Sequence, residues 1–394
     1  MMAEWYEVPL RDLVGYISKG IAPVYSEEKT QTTIRVLNQK CSRDFKISYD
    51  DSKLHETQKK KVPIERYVRP YDILINATGA GTAGRIAQID EVPFATTIDG
   101  HMILIRTNGK VAQKFLGYAL KAHQWEISQL DEGSTGQTEL NRNRLLDEIM
   151  IRYPVSFDEQ KQIVSILSAL DEKIATNRAI NENLEEQAQA LVKEYCSSTD
   201  SEIALGSIMN FVNGFAFQSK SYQKNGKYRI VTIKNVQDGR IDTQGAAYID
   251  EVPKKMKNEC YLRVSDILLS LTGNVGRVGI VFENNLLLNQ RVAKFTSSKD
   301  ILPLLYFFFR LSETKVSLET IAKGTAQQNL SPIETLKLSF PYDEDKALIL
   351  SRALKPMFDS IVNNSAESSK LAQLRDSLLP KLMSGEIDVS AVQL

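Results

Sequence analysis

The stretch KKVPIERYVRPYDILINATG, residues 60–79, decides the fold because the chain contains it a second time. Residues 254–273 read KKMKNECYLRVSDILLSLTG, and the two segments are identical at ten of twenty positions. Self-similarity of this kind indicates a chain assembled from equivalent structural units. The 394 residues are therefore predicted to form two halves of the same architecture, each large enough to bury its own core.

A second matched segment supports the repeat. STGQTEL, residues 134–140, aligns with GTAQQNL, residues 324–330. The offset between the copies is 194 residues in the first match and 190 in the second, so the second copy has slightly shorter connections. The repeat therefore extends over most of each half, and Gln137 and Gln327 occupy the same place in it.

The glycine loop that follows residues 60–79 has two interpretations. Gly79, Gly81 and Gly84 have the G-x-G-x-x-G spacing of a dinucleotide-binding loop, which opens a helix. Residues 85–90, RIAQID, instead alternate apolar and polar side chains, which is typical of a strand. The second copy, TGNVGR at 272–277, lacks the middle glycine. What the copies share is a strand, a tight turn that needs positive φ and a returning strand.

Each of these turns carries side chains that suit nucleic acid. A threonine and a glycine begin the turn and an arginine ends it, and such groups can reach phosphates or base edges. The plain alternative is a surface hairpin with a solvated arginine. The candidate DNA contacts are Thr78, Gly79, Arg85 and Gln137 in the first half and Thr272, Gly273, Arg277 and Gln327 in the second.

Two long segments have the spacing of helical seams. From residue 163 to 195, and again from 350 to 382, the seam advances by alternating steps of four and three, as in a coiled coil. One interpretation pairs the helices antiparallel about a local pseudo-twofold axis near Asn177 and Asn364. The other packs each amphipathic helix on its own half. The principal seam residues are Leu167, Ile174, Asn177, Leu184, Ile361, Asn364, Leu371 and Leu378.

Prolines set an expectation for the second helix alone. Pro356 and Pro380 fall inside its seam, whereas residues 157–195 contain no proline. Because proline removes a backbone donor and clashes with the preceding turn, we expect the second helix to start late and to be broken near its end.

Charge alternates along the chain although the net charge is zero. Residues 1–156 and 197–342 carry +1 and +5, whereas residues 157–196 and 343–394 carry −4 and −2. This alternation agrees with a unit that is built twice, in the order globular half, long helix, globular half, long helix.

The composition indicates a reducing, aqueous compartment. Cys41, Cys196 and Cys260 are odd in number and far apart, which argues against a disulfide framework. The longest apolar run, residues 301–309, is far shorter than the roughly 20 residues of a membrane helix. The N-terminus has no basic-then-apolar targeting pattern. We expect a cytoplasmic protein that has no membrane partner.

The sequence contains no catalytic or metal-binding motif. It has no nucleophile elbow with a serine, histidine and aspartate set, no H-E-x-x-H, no Cys-x-x-Cys and no D/N-P-P-Y/F of amino-methyltransferases. His55, His101 and His123 have no metal-ligand spacing with the cysteines. We therefore predict neither catalytic residues nor a metal site.

The ending LRDSLLPKLMSGEIDV, residues 374–389, together with the repeat, the turns and the two helices, resembles the DNA-specificity subunit of type I restriction-modification systems. The resemblance covers essentially the whole chain. It implies an α+β fold in which two mixed α/β target-recognition domains are separated by two long antiparallel coiled-coil helices, with an internal pseudo-twofold repeat. The implied segments are 1–154 and 199–341 for the target-recognition domains, 155–198 for the central spacer helix and 342–394 for the C-terminal spacer helix.

The resemblance also implies a division of labour. Each target-recognition domain reads one half of a bipartite target in double-stranded DNA, and the helices act as a ruler and dock two methyltransferase subunits. Restriction subunits join through these. The chain itself is expected to be non-catalytic and to hold no cofactor, with S-adenosylmethionine and ATP bound only by partner subunits. Two other classes stay open: a two-module coiled-coil adaptor without DNA binding, and a nucleotide-dependent enzyme.

Overall fold

The computed structural model describes residues 4–79, 81–132, 139–323 and 329–389. The chain divides into two compact units. The first unit consists of residues 1–171 and 373–394, and the second unit of residues 172–372. Both units contain sheets and helices, which confirms the α+β class.

The first unit is built mainly from short strands. They are β1 (Trp5–Pro9), β2 (Val14–Lys19), β3 (Tyr25–Ser26), β4 (Thr33–Leu37), β5 (Ser42–Arg43), β6 (Lys46–Ile47), β7 (Lys53–Glu56), β8 (Ile73–Asn76), β9 (Ile86–Gln88), β10 (Thr96–Ile98), β11 (Met102–Thr107), β12 (Asp131–Glu132), β13 (Glu139–Leu140) and β14 (Met150–Pro154). Its helices are α1 (Gln113–Ala122), α2 (Gln124–Ile127) and α3 (Arg142–Glu148). Two four-stranded sheets form, in the orders β2-β11-β8-β9 and β10-β4-β7-β3.

The central strands β8 and β11 are buried on both faces. Ile73, Ile75 and Ile103 face one cluster, which includes Phe115 of α1. Leu74 lies between them in sequence and faces a second cluster instead. Side chains alternate across a strand, so one continuous apolar run fills two layers. Each fully buried Ile or Leu contributes about 1.5–3 kcal/mol, which makes β8 the anchor of the turn that follows it.

The second unit has a similar content. Its strands are β15 (Glu202–Ala204), β16 (Asn210–Asn213), β17 (Tyr228–Val231), β18 (Val236–Gln237), β19 (Gly239–Ile241), β20 (Tyr248–Ile249), β21 (Tyr261–Leu262), β22 (Ile267–Ser270), β23 (Val278–Ile280), β24 (Leu286–Leu288), β25 (Val292–Thr296) and β26 (Ser339–Pro341). Two long helices, α4 (Phe157–Ser197) and α8 (Glu344–Met383), flank it in sequence, and between them lie α5 (Leu302–Phe309), α6 (Ser312–Lys323) and α7 (Pro332–Thr335). The apolar run predicted at 301–309 is α5, which is buried in the core of this unit.

The strand orders of the two units correspond. The order β2-β11-β8-β9 in the first unit matches β16-β25-β22-β23 in the second. A parallel pair recurs beside it, β4 with β10 and β17 with β24. The terminal antiparallel pairs, β1 with β14 and β15 with β26, also match. The repeat predicted from residues 60–79 is therefore present in the topology of each unit.

Both long helices contribute to both units. α4 belongs to the first unit up to Asp171 and to the second from Glu172, and α8 leaves the second unit at Ala372. Within the second unit, Asn177 contacts Ser368 and Asn181 contacts Ser365. The residue numbers rise on one helix as they fall on the other, so the two helices run in opposite directions there. No helix among the described residues is long and apolar enough to cross a membrane.

The expectation of a broken second helix is wrong. α8 runs without interruption from Glu344 to Met383, through both Pro356 and Pro380. Both prolines lie on the exposed side of the helix, where water can reach the carbonyl groups that lose their amide partners. The helix ends well before the predicted limit at residue 394, because Gly385 adopts φ 72° and residues 387 and 389 pack into the core of the first unit.

The seam residues are buried to different degrees. Leu167, Asn177 and Ile361 are at most 4% exposed. Ile174, Leu184, Asn364, Leu371 and Leu378 are half-buried. Near the end of α4 the buried positions move from the predicted Leu191, which is 41% exposed, to Val192, which is 0% exposed. A helix with 3.6 residues per turn drifts against a 3.5-residue repeat, which accounts for the displacement.

Candidate nucleic-acid interface

The glycine loop of the first unit is a turn between two strands. β8 and β9 pair antiparallel, with Ile75 opposite Ile86. Gly79, Gly81 and Gly84 have φ values of 110°, 71° and 79°, in the range that favours glycine. A strand follows the glycines where dinucleotide binding needs a helix N-terminus. The strand-turn-strand interpretation is therefore confirmed for this copy.

The second unit repeats the turn between β22 and β23. These strands pair antiparallel, with Leu269 opposite Val278. Gly273 and Gly276 have φ values of 71° and 78°. The middle glycine of the first copy is thus dispensable, whereas the glycines that begin and end the turn are required by its backbone.

Arg85 and Arg277 hold the base of each turn. Both side chains are half-buried. Arg85 donates from Nη1 to the backbone oxygen of Ser42 at 3.1 Å. Arg277 donates from Nη1 to Oε1 of Gln237 at 2.7 Å. Each guanidinium therefore joins the turn to the strand region after β4 or β17, a role that the hypothesis of a solvated or DNA-probing arginine did not include.

The two threonines differ in their partners. Thr78 forms a 2.9 Å hydrogen bond between its hydroxyl and Nδ1 of His101. Thr272 has a buried hydroxyl with no hydrogen-bond partner in the described parts of the chain. The hydroxyl of the first turn is thus oriented by a neighbouring side chain, and that of the second turn is not.

Three chain segments meet beside each turn. In the first unit Ala77 donates its amide to the oxygen of His101 at 2.8 Å and accepts from Leu140 at 2.7 Å. In the second unit Leu271 donates to Arg291 at 3.1 Å and accepts from Leu330 at 2.7 Å. The segments matched at residues 134–140 and 324–330 therefore end, at Leu140 and Leu330, beside the turns in both units. Gln137 and Gln327 themselves lie outside the described residues.

His101 and Arg291 were missed by sequence reasoning. Each ends a short turn, in which its amide is bound by the side chain of the residue two positions earlier, Asp99 at 2.9 Å or Asn289 at 3.3 Å. Both side chains are exposed. The offset of 190 residues already found for Gln137 and Gln327 aligns them, but a histidine and an arginine are not identical, so the match was not seen.

The described residues offer no metal-binding group, and burial disfavours thiolate chemistry at the cysteines. Among the described residues there is no group of three or more His, Cys, Asp or Glu side chains placed to hold a metal ion. Burial raises the pKa of the Cys41 and Cys260 thiols, and it raises that of Cys196 to about 11. A raised thiol pKa disfavours the nucleophilic thiolate. Burial likewise raises the pKa of Asp99, against the hydrogen bond from the His101 amide.

Comparisons with known proteins agree with this architecture. The family model of the type I restriction modification DNA specificity domain matches residues 2–186 and 199–371. The putative type I restriction enzyme MjaX specificity subunit of Methanocaldococcus jannaschii is 24% identical over 416 residues, which cover 98% of this chain and 94% of that protein. The MjaIX specificity subunit of the same organism is 26% identical over 322 residues, which cover 75% of this chain and 73% of that one.

A solved structure shows the same fold. The type I restriction-modification S subunit from M. genitalium has a TM-score of 0.56 at 18% identity, and the match covers 97% of this chain and 96% of that one. The two matched segments of the family model correspond to the two copies of the repeat. The chain therefore belongs to the family of type I restriction-modification DNA specificity subunits, which are DNA-recognition and not catalytic subunits.

Proposed function

We propose that this specificity subunit reads a bipartite target in double-stranded DNA, one half-site for each unit. The observation that carries the proposal is the recurrence of one turn. Both units place a threonine and a glycine after a buried central strand, beside a junction of three chain segments joined by equivalent backbone hydrogen bonds. A reader built twice in one chain suits a target with two separated parts.

The DNA contacts are proposed to lie on these turns and on the segments that follow residues 132 and 323. Thr78 supplies a hydroxyl group, and Gly79 and Gly273 supply backbone amides, which hydrogen-bond phosphates and base edges. Thr272, whose hydroxyl is buried, stays a candidate through its backbone amide. Gln137 and Gln327 are proposed to reach adenine. Arg85 and Arg277 stay candidates, although their contacts within each unit make bracing the turn their first role.

The helices α4 and α8 are proposed to form an antiparallel coiled-coil spacer with pseudo-twofold symmetry. Their 41 and 40 residues correspond to lengths of about 60 Å at roughly 1.5 Å per residue. The contacts of Asn177 with Asn364, Glu367 and Ser368 support the pairing. In this proposal the target-recognition domains are residues 1–154 and 199–341, and the spacer helices α4 and α8 lie within the segments 155–198 and 342–394.

The spacer is also proposed to dock two methyltransferase subunits, through which restriction subunits join. Exposed apolar side chains on both helices support this proposal: Ile180 is 43% exposed, Ile349 is 68% exposed and Leu374 is 46% exposed. Because exposed apolar side chains that are scattered singly are common on protein surfaces, membership of the specificity-subunit family is the main support for docking. S-adenosylmethionine and ATP are assigned to these partner subunits, and no cofactor is assigned to this chain.

An exchange of one reader tests the proposal. Residues 201–340 are replaced by the corresponding segment of a relative, and methylated adenines are mapped in DNA from cells that hold this subunit and its methyltransferase. We expect one half of the target to change and the other half to persist. The matched control replaces residues 4–154 and should change the opposite half. If either exchange altered both halves together, the two units would not be separate readers.

A further inference from the structure

The turns that end at His101 and Arg291 are one feature present in both units. Asp99 donates its amide to the oxygen of Leu37 at 2.9 Å, and Asn289 donates to Val231 at 3.2 Å. In each turn, the amide of the residue two positions later donates a hydrogen bond to the Asp or Asn side chain. Asn289 lies 190 residues after Asp99, and Arg291 lies 190 residues after His101. His101 therefore has Arg291 as its structural counterpart.

Both turns are held rigidly by the strand region beside them. A Cβ atom on Gly20 would lie 2.1 Å from the oxygen of Asp99, and one on Gly214 would lie 2.2 Å from the oxygen of Asn289. Only glycine permits backbones to approach so closely. A group carried on a fixed backbone loses little conformational entropy when it binds a ligand, so each turn is a prepared support for the side chain at its end.

The side chains at the ends of these turns have polar atoms that form no hydrogen bond within the described parts of the chain. Arg291 is exposed, and its guanidinium has neither an ion-pair nor a hydrogen-bond partner in the described parts of the chain. His101 is exposed and uses Nδ1 for Thr78, while its Nε2 has no partner among the described residues. Arg277, in contrast, donates a hydrogen bond to Gln237. His101 and Arg291 therefore each present polar side-chain atoms without a partner among the described residues, next to a Thr-Gly turn.

We propose that His101 and Arg291 are equivalent DNA contacts, one for each half-site, placed beside the Thr-Gly turns. This inference rests on the proposed function, because it assigns contacts to readers that must bind DNA. Arg291 offers a planar fork that matches the O6 and N7 atoms of guanine or the oxygens of a phosphate. His101 offers one ring nitrogen, Nε2, at the same place. The two half-sites are thus contacted from one backbone position with different side chains.

Alanine variants test the proposal in the full chain with its methyltransferase partner. Arg291→Ala and His101→Ala are compared with Arg240→Ala and Lys110→Ala, which remove an exposed positive charge from the same units. The affinity for duplex DNA that carries the mapped target is measured at several salt concentrations. We expect Arg291→Ala to weaken binding about 5- to 150-fold, the range for one base-reading arginine, and His101→Ala to weaken it less.

The pattern of loss identifies the contacted group. If affinity is lost only through weaker discrimination at one base pair of one half-site, the side chain contacts a base edge. If affinity falls equally on all sequences and depends less on salt, the side chain contacts a phosphate. Arg291→Lys should restore a phosphate contact and not a forked contact to guanine. Melting temperatures equal to the parent's exclude unfolding as the cause, and Arg291→Gln provides a second polar variant.

Two negative results are distinguishable. If the parent methylates a bipartite target while Arg291→Ala and His101→Ala bind like the two charge controls at every salt concentration, the assignment of these residues is overturned and the proposed function stands. If the parent complex shows no preference for any bipartite duplex, the proposed function fails, and the assignment fails with it.

Discussion

Arg375 donates a 2.6 Å hydrogen bond from Nη1 to Oδ1 of Asp171, and the two side chains are only 15% and 11% exposed. Asp171 lies on α4 and Arg375 on α8, 204 positions apart in sequence. The hydroxyl of Tyr118, on α1, donates to the other oxygen of Asp171 at 2.8 Å. One buried carboxylate therefore joins both long helices to the core helix of the first unit.

Arg375→Ala should destabilise the chain markedly. It removes the cation that is hydrogen-bonded to the buried Asp171 carboxylate and leaves only Lys121, whose Nζ lies 3.8 Å from Oδ2. Breaking a buried hydrogen-bonded pair in this way costs about 3–5 kcal/mol. Arg352→Ala on the exposed side of α8 is the control and should change the free energy of unfolding by less than about 0.5 kcal/mol. Denaturant unfolding measures both. If Arg375→Ala were as stable as the control, the pair would not be a structural tie.

Lys121 should make stability depend on pH. Burial lowers the pKa of its ammonium to about 8, although Asp171 opposes the shift, and its Nζ has no hydrogen-bond partner in the described parts of the chain. In the unfolded chain this lysine titrates near its ordinary pKa of 10.5. Between these values the unfolded state binds the extra proton, so raising the pH raises the free energy of unfolding.

Lys121→Met should therefore stabilise the chain at pH 7, by about 1–3 kcal/mol for a shift of this size. The gain should shrink as the pH rises from about 8 and vanish above about pH 10.5. Lys161→Met, a substitution of a lysine side chain that is 71% exposed, should show no such trend. Denaturant unfolding at several pH values gives the comparison, and a stabilisation that did not change with pH would disprove the role of the buried charge.

Much of this architecture follows from short sequence signals. Asp72 to Leu74 and Asp266 to Leu268 place a buried strand before each turn, since apolar runs and glycines act locally. The partners of the arginines could not be predicted in the same way, because Ser42 is 43 residues from Arg85. Contacts of that kind depend on how strands pair, which one sequence does not specify.

The features that the sequence did not predict also have physical explanations. The equivalence of His101 and Arg291 resides in backbone hydrogen bonds and not in side-chain identity, so a search for identities passes over it. Pro356 was expected to disturb α8, but the effect of a proline depends on whether water reaches the freed carbonyl group, and its exposed position became known only with the fold.

Asn177 should limit the stability of the helix pair. Its amide nitrogen donates to Glu367 at 2.7 Å, yet its Oδ1 is buried without a partner in the described parts of the chain. Such an oxygen costs about 1–3 kcal/mol, so Asn177→Leu should raise the free energy of unfolding by about 1 kcal/mol. Asn177→Leu also removes the bond to Glu367, but that carboxylate is exposed and regains water. Asn364, which donates to Asn181 at 2.9 Å, is the control, because Asn364→Leu removes a formed bond without removing a buried oxygen that lacks a partner, and it should not stabilise. Equal effects in thermal unfolding would contradict this account.

The proposed spacer should act as a ruler that sets the distance between the half-sites. Seven residues lengthen an α-helix by about 10 Å, at roughly 1.5 Å per residue, and DNA rises roughly 3.4 Å per base pair, so one heptad corresponds to about three base pairs. Since the helices run in opposite directions around Asn177 and Ser368, the heptad must be added to both, near Asn177 and near Asn364. Whole heptads keep each seam facing its partner.

Methylation mapping then gives one of two results for the double insertion. Three added base pairs also rotate the second half-site by roughly 100°, at about 10.5 pairs per turn. We therefore expect either unchanged half-sites with a wider gap or a loss of methylation, because the two proposed methyltransferase partners would both have to be placed on one DNA axis. A heptad in α4 alone should remove methylation by displacing the pairing, which separates a ruler effect from tolerance of extra length. Full methylation at the original spacing by the doubly lengthened chain would show that the helices do not set the distance between half-sites.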